Sequence, residues 1–180
     1  MALIFISAII RVVLKELDSS TLCLECGLCC NGVIFGNVKL QSGDVASRLR
    51  SLGLPVKSRT FKQPCAAWQN CRCAIYADRP AHCRKFECLL LKDVEAKTLS
   101  PDEALKIIRR AQRKVAVVRK LLKALGSTDE GQDLRWQYRH HLAKLVESGP
   151  FCDEQASLYS RLTLEFHSLD QLLHRSFYQD

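Results

Sequence analysis

The sequence predicts a mainly α-helical protein in two parts: an irregular, cysteine-rich, metal-stabilised N-terminal half and a C-terminal set of about three helices. Nine of the ten cysteines precede Ser100, in a segment whose many Gly and Pro residues are typical of loops and short elements. After Ser100, apolar residues recur at helical spacing. We therefore expect a single domain over residues 1–180, with a cysteine-cluster metal-binding region at 20–95 and a helical extension at 100–180.

The clearest helix signal begins at Ser100. Pro101 suits the first helical position, Glu103 completes a capping box with Ser100, and Gly126 ends the pattern. Two more helices are predicted by apolar periodicity, one after Thr128 up to Gly149 and one from Asp153 through Phe177.

Three shorter elements are predicted in the N-terminal half. VIFGNVKL reads as a strand pair that bends at Gly36 and Asn37. Ser42 is expected to cap a helix in which Asp44 stabilises the dipole. Asp78 is expected to cap another, which carries both Cys83 and Cys88.

The N-terminal apolar run from Ala2 to Ile10 resembles neither a signal peptide nor a membrane span. No basic residue precedes it, no small-residue cleavage site follows, and Arg11 interrupts it well short of the roughly 20 residues that a span requires. We expect this run to pack on the core and the protein to be cytoplasmic, without stable membrane insertion. In a reducing compartment the thiols stay free to bind metal.

The first cysteine segment, CLECGLCC, contains Cys23, Cys26, Cys29 and Cys30. Thiols two residues apart let a tight turn direct both sulfur atoms at one ion, about 2.3 Å away for zinc. Three thiols at intervals of three also resemble the loop of a cubane iron–sulfur cluster. A second segment, CAAWQNCRCAIYADRPAHCRKFEC, adds Cys65, Cys71, Cys73, Cys83 and Cys88. The pattern predicts thiolate ligation of zinc or iron, with an iron–sulfur cluster as an open alternative.

The adjacent pair Cys29 and Cys30 constrains how the thiols are shared. Neighbouring side chains tend to point apart, so either the two serve different sites or one is a redox thiol outside the coordination shell. Cys152, and in part Cys71, are interpreted as ordinary small apolar residues. His82 is interpreted as a surface or core histidine because thiolates abound near it.

These residues carry a resemblance to a known family. Residues 20 to 95 resemble the YkgJ-type cysteine-cluster family, described as zinc- or iron-chelating proteins and marked by CxxCxxCC; both CLECGLCC and CAIYADRPAHCRKFEC occur in the family's order. The resemblance implies a metal site formed by Cys23, Cys26, Cys29, Cys30, Cys65, Cys73, Cys83 and Cys88. One branch of the family is associated with methylation of flagellin lysines, but this chain has no glycine-rich strand–turn–helix signature for a methyl donor.

The leading hypothesis is a metal-binding protein in which thiolates of both segments converge on one or two zinc or iron centres. One alternative is a redox or methyl-transfer enzyme that uses the cysteine cluster. An exposed, low-pKa cysteine beside Arg79, Arg84 or Lys85 would support a redox enzyme or a metal-delivery factor that uses the spare thiols. The sequence assigns no catalytic residue and no protein partner.

A second alternative is a basic nucleic-acid-binding protein with a structural metal. The net charge is +8, and the predicted helix after Ser100 is rich in Lys and Arg. However, basic residues on an amphipathic helix usually form a solvated face, and no base-reading motif is present. We therefore expect this helix to act mainly by packing and rank nucleic acid below metal as a partner.

Overall fold

The structure, a computed structural model, describes residues 19–148 and 152–178 of the 180-residue chain. These residues are mainly helical with a few short strands, which confirms the predicted helical class. The predicted packing of Ala2–Ile10 lies outside the described residues. Within the described ranges, no helix is both long and apolar enough to cross a membrane.

The N-terminal half consists of short elements joined by loops. They are α1 (Ser19–Cys26), β1 (Asn37–Lys39), α2 (Ala46–Ser51), β2 (Thr60–Lys62), β3 (Trp68–Gln69), β4 (Arg72–Cys73), a 3-10 turn (Tyr76–Asp78), α3 (Ala81–Lys85) and α4 (Leu89–Glu95). The strands form two antiparallel pairs, β1 with β2 and β3 with β4. Val38 lies opposite Phe61 in the first pair, and Trp68 lies opposite Cys73 in the second.

The C-terminal part consists of α5 (Pro101–Ala124), α6 (Leu134–Ser148) and α7 (Asp153–Ser176). The predicted start of α5 is confirmed. The Ser100 side chain accepts a hydrogen bond from the Glu103 N–H, the Glu103 carboxylate accepts one from the Ser100 N–H, and Pro101 occupies the first turn.

The predicted strand pair within residues 33–40 is wrong. Only Asn37–Lys39 is a strand, and its partner is the distant β2. The N–H groups of Val33 and Ile34 both donate to the Leu28 carbonyl, so this stretch closes a loop instead of extending. Its apolar side chains join the core beneath that loop.

The two predicted helix starts near Ser42 and Asp78 are also wrong. α2 begins at Ala46. The Asp44 carboxylate instead accepts hydrogen bonds from the N–H of Gln41 and of Ala81, so it joins two loops. Asp78 lies in the 3-10 turn, and α3 begins only after Pro80.

Cys83 and Cys88 lie on different elements. Phe86 has extended backbone and its ring packs edge-on against Phe35, 4.6 Å between centroids, so α3 ends at Lys85. Cys88 then directly precedes α4. The predicted single helix carrying both thiols is therefore wrong.

Two apolar cores lie on either side of the cysteine loops. The larger combines residues of α1, α4, α5 and α7, and its fully buried members include Leu28, Ile108, Leu122, Leu162 and Phe177. The smaller one lies under β1, α2 and β2; its members are Val38, Leu40, Leu49, Leu54, Val56, Phe61, Ala67 and Ile75. The loops that carry the thiols therefore join two separately packed regions.

The C-terminal helices hold the backbone of the cysteine loops directly. The Gln112 amide on α5 donates to the carbonyls of Glu25 and Cys26, at 2.8 and 3.0 Å. The Arg119 guanidinium donates to the Asn31 carbonyl at 2.7 Å. The N–H of Leu134 donates to the carbonyl of Gly32 at 2.9 Å. These bonds satisfy carbonyls at the end of α1 and along the loop that follows it.

Substitution of Gly27 tests how closely the loop after α1 is packed. It has φ +62°, and a Cβ there would overlap the Trp68 indole, whereas Gly53 has φ +88° with open space around it. Gly53→Ala should cost about 1 kcal/mol for left-handed backbone alone. Gly27→Ala should cost roughly 1–3 kcal/mol more, because the ring must move. Chemical denaturation measures both, and equal losses of unfolding free energy would contradict the described packing.

Substitution of Gln112 tests how much the hydrogen bonds from α5 to the end of α1 stabilise the fold. Gln112→Ala removes two hydrogen bonds to backbone carbonyls and should lower the free energy of unfolding by about 1–2 kcal/mol. The neighbouring Arg113 is exposed, so Arg113→Ala is a matched control with an expected change within about 0.5 kcal/mol. The measurement is urea denaturation of both variants at equal metal content. Indistinguishable midpoints would show that the Gln112 contacts contribute nothing.

Candidate metal centre

Most of the predicted cysteines surround one cavity of about 110 Å³ between the two cores. The cysteines that line it are Cys23, Cys26, Cys29, Cys30, Cys73, Cys83 and Cys88. The rest of the lining is mostly apolar and aromatic, and includes Leu28, Phe35, Trp68 and Phe86. Cys65 is brought to the same place because its N–H donates to the Cys30 carbonyl at 2.8 Å.

Local structure explains how the first cysteine segment turns its thiols inward. Cys23 and Cys26 lie on α1 one helical turn apart, so they share a face. Gly27 then ends the helix in left-handed backbone, and its carbonyl accepts the N–H groups of Cys30 and Asn31. This tight turn places Cys29 and Cys30 at the cavity.

Four thiols form what we call the first thiol group: Cys23, Cys26, Cys29 and Cys88. Burial, with smaller effects of negative charge on Cys88 and Cys23, raises the pKa of Cys26 to about 12. Burial also raises the pKa of Cys29 well above its usual range, with contributions from Cys26, Cys30 and Cys88. Desolvation raises the pKa of Cys23, and Cys88 adds to it. These effects of Cys88, Cys23 and Cys26 on their neighbours group the four thiols together.

The other four thiols form the second thiol group: Cys30, Cys65, Cys73 and Cys83. Burial raises the pKa of Cys30 to about 12, followed by the effects of Cys65, Cys73 and Cys83. Burial raises the pKa of Cys83 to about 12 as well, again with Cys65 and Cys73 as the nearest thiols. Packing agrees with this division: Cys26 and Cys88 lie against the larger core, and Cys65, Cys73 and Cys83 against the smaller one.

The adjacent Cys29 and Cys30 thus face different groups. After burial, the pKa of Cys29 is raised by Cys26, Cys88 and Cys23 of the first group as well as by Cys30. The pKa of Cys30 is raised by Cys65, Cys73 and Cys83 of the second group as well as by Cys26. Both groups combine the two cysteine segments, because Cys88 joins the first and Cys30 joins the second. Each still senses the other, since Cys30 raises the pKa of Cys29.

Several donors at the site favour thiolate over thiol, as a metal requires. Although burial is the largest influence and raises each pKa, backbone N–H groups lower it at three thiols: Leu28 donates to Cys26, Ala67 to Cys65 and Leu91 to Cys88. A soft thiol set with N–H donors aimed at sulfur fits zinc or iron.

Arg79 adds a fixed positive charge to the cavity wall. Its guanidinium lies 3.6 Å from the Tyr76 ring centroid, and its Nε donates to the Tyr76 carbonyl at 2.9 Å. Against the larger effect of burial, Arg79 lowers the pKa of Cys23 in the first group and of Cys83 in the second. The sequence pattern placed Arg79 near cysteines but did not indicate that it faces both groups.

The thiols adjoin one another without yet forming a coordination shell. Within residues 19–148 and 152–178, no three His, Cys, Asp or Glu side chains converge closely enough to surround one metal ion. Burial raises the pKa of seven cysteines, namely Cys23, Cys26, Cys29, Cys30, Cys65, Cys83 and Cys88. This direction is opposite to the low pKa that the redox alternative requires.

The remaining candidates lie apart from the two groups. Cys71 is exposed at the tip of the turn between β3 and β4, and Cys152 is exposed just before α7. The His82 ring packs against Phe35 with centroids 4.9 Å apart, and its buried Nε2 has no hydrogen-bond partner among the described residues. Neither cysteine lines the cavity.

Comparison with family models finds a match over just under half of the chain. Residues 22–107 match the model of the CxxCxxCC family, whose description is "putative zinc- or iron-chelating domain". No curated protein and no solved structure matches the chain. The match contains every cysteine of both thiol groups and ends within α5, before Gln112 and Arg119. The matched family is the one that the cysteine motifs predicted.

Proposed function

We propose that the protein binds zinc or iron through two centres, one held by the thiolates of the first thiol group and the other by those of the second. The observation that carries this proposal is the division of eight cysteines into two sets of four electrostatic neighbours, with Cys29 and Cys30 in different sets. Four thiolates are a complete ligand set for a structural zinc ion and equally for an iron–sulfur cluster.

The negative charge of the thiolates explains why this site would need a metal ion. A buried thiolate without a partner is unfavourable, which is why burial raises the pKa values at both groups. A bound cation supplies the positive charge that keeps the thiolates ionised. The N–H donors and Arg79 also favour the ionised thiolates. Metal binding would draw the sulfur atoms together by side-chain rotation.

The fold of the N-terminal half gives the metal a structural role. Its two sheets have only two strands each, and sheets of this size are marginal by themselves. Metal binding by such a thiolate set contributes on the order of 10 kcal/mol to folding at neutral pH. Each centre would cross-link cysteines from both segments and so join the loops between the two cores.

Single cysteine substitutions test the division into two groups. In zinc-loaded protein purified without oxygen, Cys26→Ser should lose the ion of the first group and keep that of the second, and Cys83→Ser should do the reverse. Both should unfold at lower temperature, because a ligand that supports folding is lost. Cys152→Ser, at an exposed cysteine outside both groups, is the control and should retain both ions.

Elemental analysis and thermal unfolding decide this test. Full metal content in both Cys26→Ser and Cys83→Ser would contradict thiolate binding by these groups. Loss of all metal in each variant would contradict two separate centres and support a single coupled one.

Proton release tests the protonation state of the free thiols. Because seven of the eight thiols have raised pKa values, they hold their protons at pH 7 in the metal-free protein. Filling both groups with zinc should therefore release about seven protons or more per chain, and affinity should fall as the pH is lowered. A pH indicator in weak buffer measures the release. A release of one or two protons would show that the thiolates are already formed.

A further inference from the structure

A segment that comprises most of α5 and the turn after it has the same net charge as the whole chain. Residues 104–128 contain eight Lys and Arg and no Asp or Glu. The chain has 27 Lys and Arg against 19 Asp and Glu, so the residues outside this segment are balanced, with 19 basic and 19 acidic side chains. The net charge of +8 is therefore matched by that of residues 104–128 alone, which begin after Asp102 and Glu103 of α5.

Five of these cations form what we call the α5 stripe: Arg109, Arg110, Arg113, Lys120 and Lys123. All five are exposed. Helical geometry places them within about 140° of the circumference and along about 21 Å of the axis. The opposite face is occupied, because Ile108, Val115, Leu122 and their neighbours are buried in the larger core.

The stripe is not neutralised by the rest of the molecule. None of its five residues forms an ion pair in the part of the chain that the structure describes. By contrast, two other cations of α5 are engaged: Lys114 pairs with Glu165 of α7, and Arg119 binds the Asn31 carbonyl. On α5, therefore, Lys114 and Arg119 contact other parts of the fold, whereas the five cations of the α5 stripe face solvent.

Helix stability alone does not account for this face. Like charges three or four residues apart, such as Arg109 with Arg113 and Lys120 with Lys123, destabilise a helix slightly. A solvated face that served only folding would gain from alternating Glu and Lys at these spacings. No acid is placed there, so the stripe keeps a repulsion that a polyanion would relieve.

We infer that the α5 stripe binds the phosphate backbone of a nucleic-acid duplex. Three of the five cations are Arg, whose planar guanidinium pairs with phosphate by two parallel hydrogen bonds. A helix of 10–12 Å diameter fits beside or within a groove about 12 Å wide. Such contacts would recognise the phosphate charge and not the base sequence, consistent with the lack of a base-reading motif.

An anionic membrane surface is the less suitable partner. Surface helices insert an apolar face into the lipid, and the apolar face of α5 is already packed inside the protein. The exposed large apolar side chains of the described residues are Leu24, Val45, Tyr76, Trp136 and Leu164, and none lies on α5. This inference does not depend on the proposed metal centres.

Fluorescence anisotropy with a labelled 20-base-pair DNA duplex of arbitrary sequence tests the inference, with the full chain as purified. Five phosphate contacts predict a dissociation constant of about 1–100 µM at physiological salt and a log–log salt slope of about −4.5. The variant R109E/R113E/K120E should lose at least about tenfold in affinity and about 3 in slope. The control K39E/K57E/K62E changes net charge equally at exposed residues of the N-terminal half and should lose less than about threefold.

Other outcomes of the duplex-binding experiment also decide whether the inference holds. If the charge-reversal variant does not fold by circular dichroism, R109Q/R113Q/K120Q replaces it, with at least about fivefold weaker binding expected. Equal losses in the stripe variant and the control would overturn the inference in favour of a diffuse charge effect. No saturable duplex binding, or binding only to phosphatidylserine vesicles, would overturn it as well.

Discussion

The clustering of cysteines, most of them partly buried, between two apolar cores is the constraint on which the rest of the structure depends. Sulfur atoms in this position are stable as neutral thiols, and the fold raises the pKa of Cys26, Cys30 and Cys83 to about 12. In the proposed metal-bound state, a cation would replace these protons. It would then cross-link the short strands and loops around the site.

The C-terminal helices contribute to this site although the family match ends at residue 107. Gln112 and Arg119 hold carbonyls on both sides of the loop that carries Cys29 and Cys30. The N–H of Leu89, next to Cys88, donates to the Phe177 carbonyl beyond the end of α7. The helical extension therefore positions the thiol loops, and its outward charge is free for a separate task. One helix, α5, has both roles on opposite faces.

The parts that could be predicted from sequence are those set by local chemistry. The capping box at Ser100 and the apolar period after it determine α5, and the cysteine spacing indicates thiolate ligation. The partition of the thiols could not be predicted, because it depends on the distant bond from Cys65 to Cys30 and on the extended backbone of Phe86. The strand pairing was missed for the same reason, since β1 pairs with a segment more than twenty residues away. Long-range contacts decide these features, and no local pattern encodes them.

The most direct test of two four-thiolate centres is anomalous X-ray diffraction at the metal absorption edge, from crystals of protein purified without oxygen. With two metal centres, we expect two separate anomalous peaks. One should be surrounded by the sulfur atoms of Cys23, Cys26, Cys29 and Cys88, and the other by those of Cys30, Cys65, Cys73 and Cys83. A single peak, or one peak ligated by both Cys29 and Cys30, would contradict it.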